Sequence, residues 1–224
     1  MNNNQQQYYY CIHDKGKIMN TLLPDIISII FQNFDTKQLI WSQRTCKKWR
    51  KVYIDNMWKY FINLEQWAGE IKDKHLESFR NAKTISLKHC EKIKGPGLVY
   101  LENATVIDLS YCRIENIHLR FLKSVKILNL VSCGFINGNG LKYIATNIEH
   151  INLFGCGAVT IESLNYLINA KSIIICRCFF PMELHEVIKN CNNIVFCICP
   201  LYTFEQLQSF KEKYPNITII NKNY

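Results

Sequence analysis

The sequence predicts an α/β protein in which a short helical module comes first and a stack of parallel strands follows. Two observations predict this order. From residue 82 onward, apolar residues and cysteines recur with a period of 21–23 residues. Residues 22–61 do not follow that period and instead show the apolar spacing of short helices. The chain has 224 residues and is 48% hydrophobic, which is enough for one domain or for one domain with a small appendage.

The helical module is predicted as three short helices joined by tight turns. Pro24 followed by the acidic Asp25 is typical of a helix N-terminus. The apolar run from Ile26 to Phe34 then has the length of a short helix. Residues 1–20, rich in Asn, Gln and Tyr, are predicted to be a disordered tail.

The repeat gives seven units of 21–23 residues between residues 82 and 224. Each unit has a turn position, and four further positions lie eight, five and three residues before it and two residues after it. All five positions are apolar in the seven units except at Lys92, two residues after a turn, and at the turn residue Lys222. Residues five and three before the turn share one side of a strand, because side chains alternate with a period of two. We expect them to form a buried stack. The turn positions are Cys90, Cys112, Cys133, Cys156, Cys178, Cys199 and Lys222.

Between the strands, apolar residues recur three or four positions apart, which predicts short helices. These segments are Leu141–Ile144, Leu164–Ile168, Leu184–Ile188 and Phe204–Phe210. Because the units are short, we expect these helices to be 3₁₀ in part. Residues 62–81 are interpreted as a linker or a degenerate first repeat.

The repeating unit, with Leu or Ile five and three residues before a cysteine, resembles the cysteine-containing leucine-rich repeat. The resemblance implies a right-handed solenoid with a parallel β-sheet on its concave face and short helices on its convex face. Such a solenoid offers a curved binding surface and no closed pocket.

Residues 21–61 resemble an F-box. Leu39 is followed seven residues later by Cys46, and Trp49 comes three residues after that, which is the family's spacing. An alternative is that these residues are only a helical cap that covers the open end of the repeats. With Asp25 aligned to the family's acidic residue, Pro24 stands one place later than in the family pattern, and Thr45 and Arg44 also depart from it. The other matching residues are Ile26, Ile27, Ile30, Phe34, Asp35, Met57 and Trp58.

The two resemblances together imply the substrate-recognition subunit of a Skp-cullin-F-box ubiquitin ligase. The F-box would bind a Skp-type adaptor, and through it a cullin-RING ligase, while the repeats would bind an unknown target protein. An alternative is a leucine-rich-repeat scaffold whose degenerate F-box acts outside ubiquitin ligation. The residues predicted to bind the adaptor are Leu22, Leu23, Pro24, Ile27, Ile30, Leu39 and Trp49.

The concave face is predicted from the positions four and two residues before each turn. These positions are polar in the first units and apolar from the fourth unit onward. Because an exposed apolar patch rarely persists without a partner, we expect a substrate-contact patch there. Strand propensity in an Ile-rich chain is the alternative explanation. The predicted patch consists of Phe154, Ile174, Cys176, Val195 and Cys197.

The sequence predicts neither an enzyme nor a cofactor or metal site. It contains no Gly-rich phosphate loop, no Gly-x-Ser-x-Gly and no His-Glu-x-x-His, and its six histidines are scattered. The pairs Cys176/Cys178 and Cys197/Cys199 have zinc-like spacing. The two members of each pair alternate between the faces of a strand, so four sulfurs would not converge on one ion.

The formal charge of +9 is spread over both halves of the chain, so we expect no nucleic-acid partner. The one basic cluster, from Arg44 to Lys51, is interpreted as a solvated helix face. The longest apolar stretch has nine residues, whereas a membrane span needs about 20. We expect an intracellular protein, cytoplasmic or nuclear, with reduced thiols. Abundant Ile, Asn and Lys favour an amoeba-like eukaryote or a giant virus, whose copy would act in the host cell.

Overall fold

The computed structural model describes residues 23–156, 159–176, 193–197, 203–213, 215 and 217–220. The chain divides into two compact units, residues 1–61 and 62–224. Several predicted features lie outside the described residues: the tail 1–20, Leu22, segment Leu184–Ile188, and Cys178, Cys191, Cys199 and Lys222.

The first unit is helical. It contains α1 (Pro24–Gln32), α2 (Thr36–Ser42) and α3 (Lys47–Asn56). Pro24 stands at the start of α1, as the sequence predicts, because a proline there loses no helical hydrogen bond. Asp35 caps α2 by accepting a 2.8 Å hydrogen bond from the backbone N–H of Gln38.

The core of the helical unit is built around aromatic rings. Phe31 is fully buried, and its ring packs edge-on against Trp49 with centroids 5.2 Å apart. Tyr60 and Phe34 lie 6.4 and 5.7 Å from the same ring. The pairs of Phe31 with Trp49 and with Tyr60 are T-shaped, and such pairs add stabilisation beyond the area that they bury. The other buried apolar residues of this unit are Ile27, Leu39, Val52, Tyr53 and Met57.

The second unit contains a sheet in which spatial order follows chain order, with eight strands counted over the described residues. From the second strand onward, every strand pairs in parallel with the next. A parallel neighbour requires a crossover, so each strand is followed by a connection that returns the chain. The strands are β1 (Phe61–Asn63), β2 (Thr84–Ser86), β3 (Val106–Asp108), β4 (Ile127–Asn129), β5 (His150–Leu153), β6 (Ser172–Cys176), β7 (Asn193–Cys197) and β8 (Ile217–Ile220).

The described connections are mostly 3₁₀ helices. A 3₁₀ helix rises about 2.0 Å per residue against about 1.5 Å for an α-helix, so six residues span more of the return path. α-Helix enters only at α4 (Ile161–Leu164) and α5 (Phe204–Lys213) among the described connections. The 3₁₀ helices of these connections are Glu65–Trp67, Asp73–Phe79, Pro96–Leu101, Asn116–Phe121, Gly138–Tyr143 and Asn165–Leu167.

The residues before each described turn lie in the core, as the cysteine register predicts. Residues eight, five and three before the turn are buried in each of the five units described in full at those positions, from Ala82 to Ile175. Two residues after the turn, Phe135 is 61% exposed, whereas the next residue, Ile136, is buried. Among the described units, the one after Cys112 buries its second residue, Ile114, while those after Cys90, Cys133 and Cys156 bury the third.

A hydrogen-bond ladder of thiols links successive units. Each thiol donates to the backbone carbonyl three residues before the preceding turn: Cys112 to Leu87, Cys133 to Leu109 and Cys156 to Leu130, at 3.0–3.1 Å. A weaker contact of 3.9 Å joins Cys90 to the carbonyl of Leu64. Residues 62–64 thus extend the pattern N-terminally. The residues just before these four turns have positive φ, namely His89, Tyr111, Ser132 and Gly155.

Candidate functional site

Helix α1 is apolar on both its buried and its exposed sides. Ile27 and Phe31, four residues apart, lie in the core of the helical unit. Leu23 at the N-cap and Ile26 and Ile29 on the helix are 66%, 43% and 55% exposed. A helix that is hydrophobic all round is normally covered all round. The exposed side of α1 is therefore a candidate contact surface.

Helix α2 adds a second exposed apolar side chain. Trp41 is 53% exposed, whereas Leu39 on the same helix is buried. The ammonium of Lys37 lies 4.9 Å from the centroid of the Trp41 ring, a cation–π contact. Tryptophan is enriched at the centre of protein interfaces, so an exposed indole supports a docking role. We use the term outer apolar residues for Leu23, Ile26, Ile29 and Trp41.

The structure does not bring the seven residues predicted to bind the adaptor onto one surface. Leu23 and Pro24 are exposed and Ile30 is half-buried, but Ile27, Leu39 and Trp49 are buried in the helical unit. Leu22 lies outside the described residues. Sequence reasoning missed three exposed residues, Ile26, Ile29 and Trp41. The signal for the two isoleucines was an apolar run too continuous for one buried side of a helix. The signal for Trp41 was a large aromatic residue next to the predicted apolar positions of the second helix.

On the sheet, a row of polar side chains lies at the last residue of β1 to β4 and at the residue before last of β5. At the position four residues before each turn, a side-chain oxygen accepts a hydrogen bond from the N–H two residues later, at 2.8–3.2 Å for Asn63, Asp108, Asn129 and Asn152. Ser86 makes a weaker contact of 3.5 Å. These local bonds satisfy N–H groups of the turn within the same unit, while backbone hydrogen bonds to the next unit continue, as from Tyr111 to Val131.

The strands change character at β6. Ile174 and Val195 occupy the same register position in β6 and β7, and neither can accept a hydrogen bond through its side chain. Both strands continue to Cys176 and Cys197 and are five residues long, against three for β2, β3 and β4. The polar-to-apolar change in the sequence thus coincides with a change in strand length.

The structure brings part of the predicted substrate patch together. Ile174 and Val195 are register partners and both are half-buried. Cys176 and Cys197 are also backbone register partners, while their side chains lie outside the described part of the structure. Phe154 is half-buried, directly follows β5, and donates its N–H to Asn152.

The buried thiols of the ladder are poor nucleophiles. Burial raises the pKa of Cys90 to about 11 and that of Cys133 to about 12. It also raises the pKa of Cys112 well above the ordinary value. Because the thiolate is the reactive form, these residues act as hydrogen-bond donors at neutral pH. Over the described residues, no three His, Cys, Asp or Glu side chains are grouped to hold a metal ion.

Comparison with known proteins identifies the helical unit. No curated protein matches the chain. The family model of the F-box domain matches residues 21–59, which include α1, α2 and α3. The structure adds that no helix in the described ranges has the length and apolar content of a membrane span. F-box domains typically bind a Skp-type adaptor in cullin-RING ligases, and F-box proteins are generally adaptors rather than enzymes. Residues 21–59 of this chain are an F-box domain.

Proposed function

We propose that the protein is a substrate-recognition subunit of a Skp-cullin-F-box ubiquitin ligase. The F-box domain at residues 21–59 carries this proposal, because that domain is typical of adaptors in such ligases. The unit that follows it is a sheet built from repeats, which suits the binding of a protein target. In this role the chain carries no catalytic step, requires no cofactor and acts inside the cell, in the cytoplasm or nucleus.

The adaptor binds the outer apolar residues in this proposal. Leu23, Ile29 and Trp41 are each more than half exposed, and covering them would remove apolar area from water. Ile27, Leu39 and Trp49 contribute indirectly, because their burial fixes the three helices that present this surface. Leu22, Pro24 and Ile30 complete the set predicted from the sequence.

Co-purification with a Skp-type adaptor tests this step. The double variant Leu23→Asp/Ile29→Asp should lose the adaptor, because two carboxylates would be buried without partners. Gln32→Asp, an exposed position on the same helix, is the matched control and should retain it. If the intact chain fails to bind where an authentic F-box binds, the ligase assignment is wrong and a scaffold outside ubiquitin ligation is favoured.

For the second unit, we propose a right-handed leucine-rich-repeat solenoid of the cysteine-containing type. Supporting observations are the sequential parallel strands, the buried positions set by the cysteine register and the thiol ladder. We propose the domain bounds 21–61 for the F-box and 82–224 for seven repeats. Residues 62–81 form a degenerate first repeat, since Leu64 is buried and its carbonyl meets the Cys90 thiol.

The target protein binds the apolar part of the sheet face in this proposal. Phe154, Ile174 and Val195 are half-buried side chains without local polar bonding, and Cys176 and Cys197 continue the same strands. The polar row from Asn63 to Asn152 already uses its acceptors within the chain. The face therefore favours a target segment with apolar side chains at one end.

A matched pair of substitutions tests the patch. Ile174→Asn installs the residue of its register partner Asn152, so the fold should tolerate it while the patch becomes polar. Ile127→Asn is the same change on β4, at a 44% exposed position outside the patch. Target proteins should no longer co-purify with the Ile174→Asn variant, and their ubiquitylation should fall. The Ile127→Asn variant should retain both. Equal retention by both variants would remove the patch from the proposal.

A further inference from the structure

Helix α3 carries a second, exposed stripe opposite its buried side. Trp49, Val52 and Tyr53 face the core of the helical unit. A different set lines a shallow depression of about 230 Å³, and its spacing of i, i+3, i+4, i+7 and i+8 places it along one side of the helix. We call this set the basic stripe: Lys47, Arg50, Lys51, Ile54 and Asp55.

The charges of the basic stripe are uncompensated. Among the residues that the structure describes, no oppositely charged group lies within 4 Å of Lys47, Arg50, Lys51 or Asp55. In the sheet unit, by contrast, several basic side chains pair with a glutamate of a neighbouring repeat. These pairs are Lys88–Glu65, Arg113–Glu91, Lys123–Glu102, Lys126–Glu149 and Lys171–Glu149.

Three like charges at helical spacing oppose the helix that carries them. Lys47, Arg50 and Lys51 are exposed, so water and salt weaken this repulsion without removing it. A negatively charged ligand bound across the three side chains would offset this repulsion with attraction. Ile54, which is half-buried, adds an apolar side chain to the lining of the depression.

We propose that the basic stripe binds an extended acidic segment of a partner protein. The stripe from Lys47 to Asp55 is about 12 Å long, which corresponds to about four extended residues. The carboxylate of Asp55 disfavours a uniformly charged phosphate chain, whereas a peptide can direct a backbone N–H toward it. The stripe also contains no aromatic side chain, which single-stranded nucleic acids normally require for stacking.

This binding goes beyond the proposed function. It uses neither the outer apolar residues nor the sheet, so it can succeed or fail independently of both. Complementary charge mainly accelerates association and selects between partners. A partner with an acidic segment would therefore be steered to the F-box unit before tighter contacts form.

Fluorescence anisotropy of a labelled deca-glutamate peptide with the full-length protein tests the proposal. The variant Lys47→Glu/Arg50→Glu/Lys51→Glu should bind about tenfold more weakly. Lys74→Glu/Lys92→Glu/Lys142→Glu changes net charge by the same amount at exposed sites elsewhere, and should change binding by less than about twofold. Equal losses in the two triple variants would overturn the proposal, because binding would then follow net charge alone.

Two further arms keep the result independent of folding. Asp55→Asn removes the opposing charge and should tighten peptide binding about two- to threefold, a gain that a misfolded variant cannot produce. Unchanged or weaker binding by a folded Asp55→Asn variant contradicts the proposal. Labelled deca-uridylate represents the competing class of ligand, single-stranded nucleic acid. If it binds more tightly than deca-glutamate and the stripe variant loses this binding, the ligand is a nucleic acid and the proposal of an acidic peptide is wrong.

Discussion

The two units of the chain solve the same problem, burying apolar area, by different means. The helical unit concentrates its core in large rings, with Phe31 in contact with Trp49, Phe34 and Tyr60. The sheet unit uses mainly aliphatic residues, from Ala to Ile and Leu, at fixed positions and joins its turns through thiol–carbonyl hydrogen bonds. Single residues should therefore matter more in the first unit, while losses in the second should be smaller and local.

The largest expected difference between the two units is the effect of substituting Phe31. Phe31→Ala removes a fully buried ring that contacts three other aromatic side chains, so we expect a loss of about 3–5 kcal/mol in unfolding free energy. Phe121→Ala, the same change at a half-buried ring of the sheet unit, should cost less. Urea unfolding of both variants measures the difference. Hydrogen exchange in Phe31→Ala should rise in residues 24–56 first, and equal costs at the two sites would refute the contrast.

The thiol ladder is tested by Cys133→Val. Valine keeps the approximate volume but cannot donate to the carbonyl of Leu109, which the thiol reaches at 3.0 Å. We expect a loss of about 1 kcal/mol. Cys46→Val, at a half-buried thiol outside the ladder, should be close to neutral.

Alkylation provides a second readout of the same ladder. Because burial raises the pKa of Cys133 to about 12, its peptide should remain unlabelled by iodoacetamide at pH 8 until the protein unfolds. Rapid labelling of Cys133 in the folded protein, or a Cys133→Val variant as stable as the original chain, would argue against a structural role for the thiol.

A third, smaller effect concerns the polar ends of the strands. Asp108 accepts hydrogen bonds from the N–H and the hydroxyl of Ser110 and from the amide of Asn129. Asp108→Ile imitates Ile174 of β6 and should cost about 1 kcal/mol or less, because the site is only partly buried. Asp108→Asn keeps the acceptor and should be milder. If the two variants unfold at the same urea concentration, this bonding does not stabilise the turn.

The cysteine period predicted the buried positions before each described turn, because burial enforces the spacing. A one-residue shift would move a whole strand's apolar set to the other face, so Ile107 and Leu109 could be assigned from spacing alone. The turn after the cysteine carries no such constraint, so spacing alone does not show that Ile136 is buried while Phe135 is exposed. The positive φ of His89 and Tyr111 was also hidden, because neither residue is a glycine.

The candidate docking residues were harder to predict for a related reason. Periodicity distinguishes a buried side from an exposed one only where the exposed side is polar. In α1 both sides are apolar, so the sequence could not separate buried Ile27 from exposed Ile26 and Ile29. Trp49 is buried against the ring of Phe31, whereas Trp41 is exposed. This difference depends on contacts between helices, which a local sequence pattern does not contain.

The smallest effect tests the surface charges of the sheet unit. Hydrogen bonds from Lys171 and Lys126 lower the pKa of Glu149 from 4.5 to about 2. Its stabilising contribution is therefore complete above pH 4.5 and is lost as the pH falls toward 2. The stability advantage of the original chain over Glu149→Gln should shrink across that range, and concentrated salt should reduce it at neutral pH, because the pair is exposed.

Direct titration of the Glu149 carboxyl by NMR separates this effect from other acid-sensitive groups. In the variant Lys126→Met/Lys171→Met the titration midpoint should return toward the ordinary value, because both donors that hold the carboxylate are absent. A midpoint near 4.5 in the original chain would show that the two lysines do not hold the carboxylate in solution. The sheet unit would then resemble the basic stripe of the helical unit, because the charged side chains of both would lack stable ion pairs in solution.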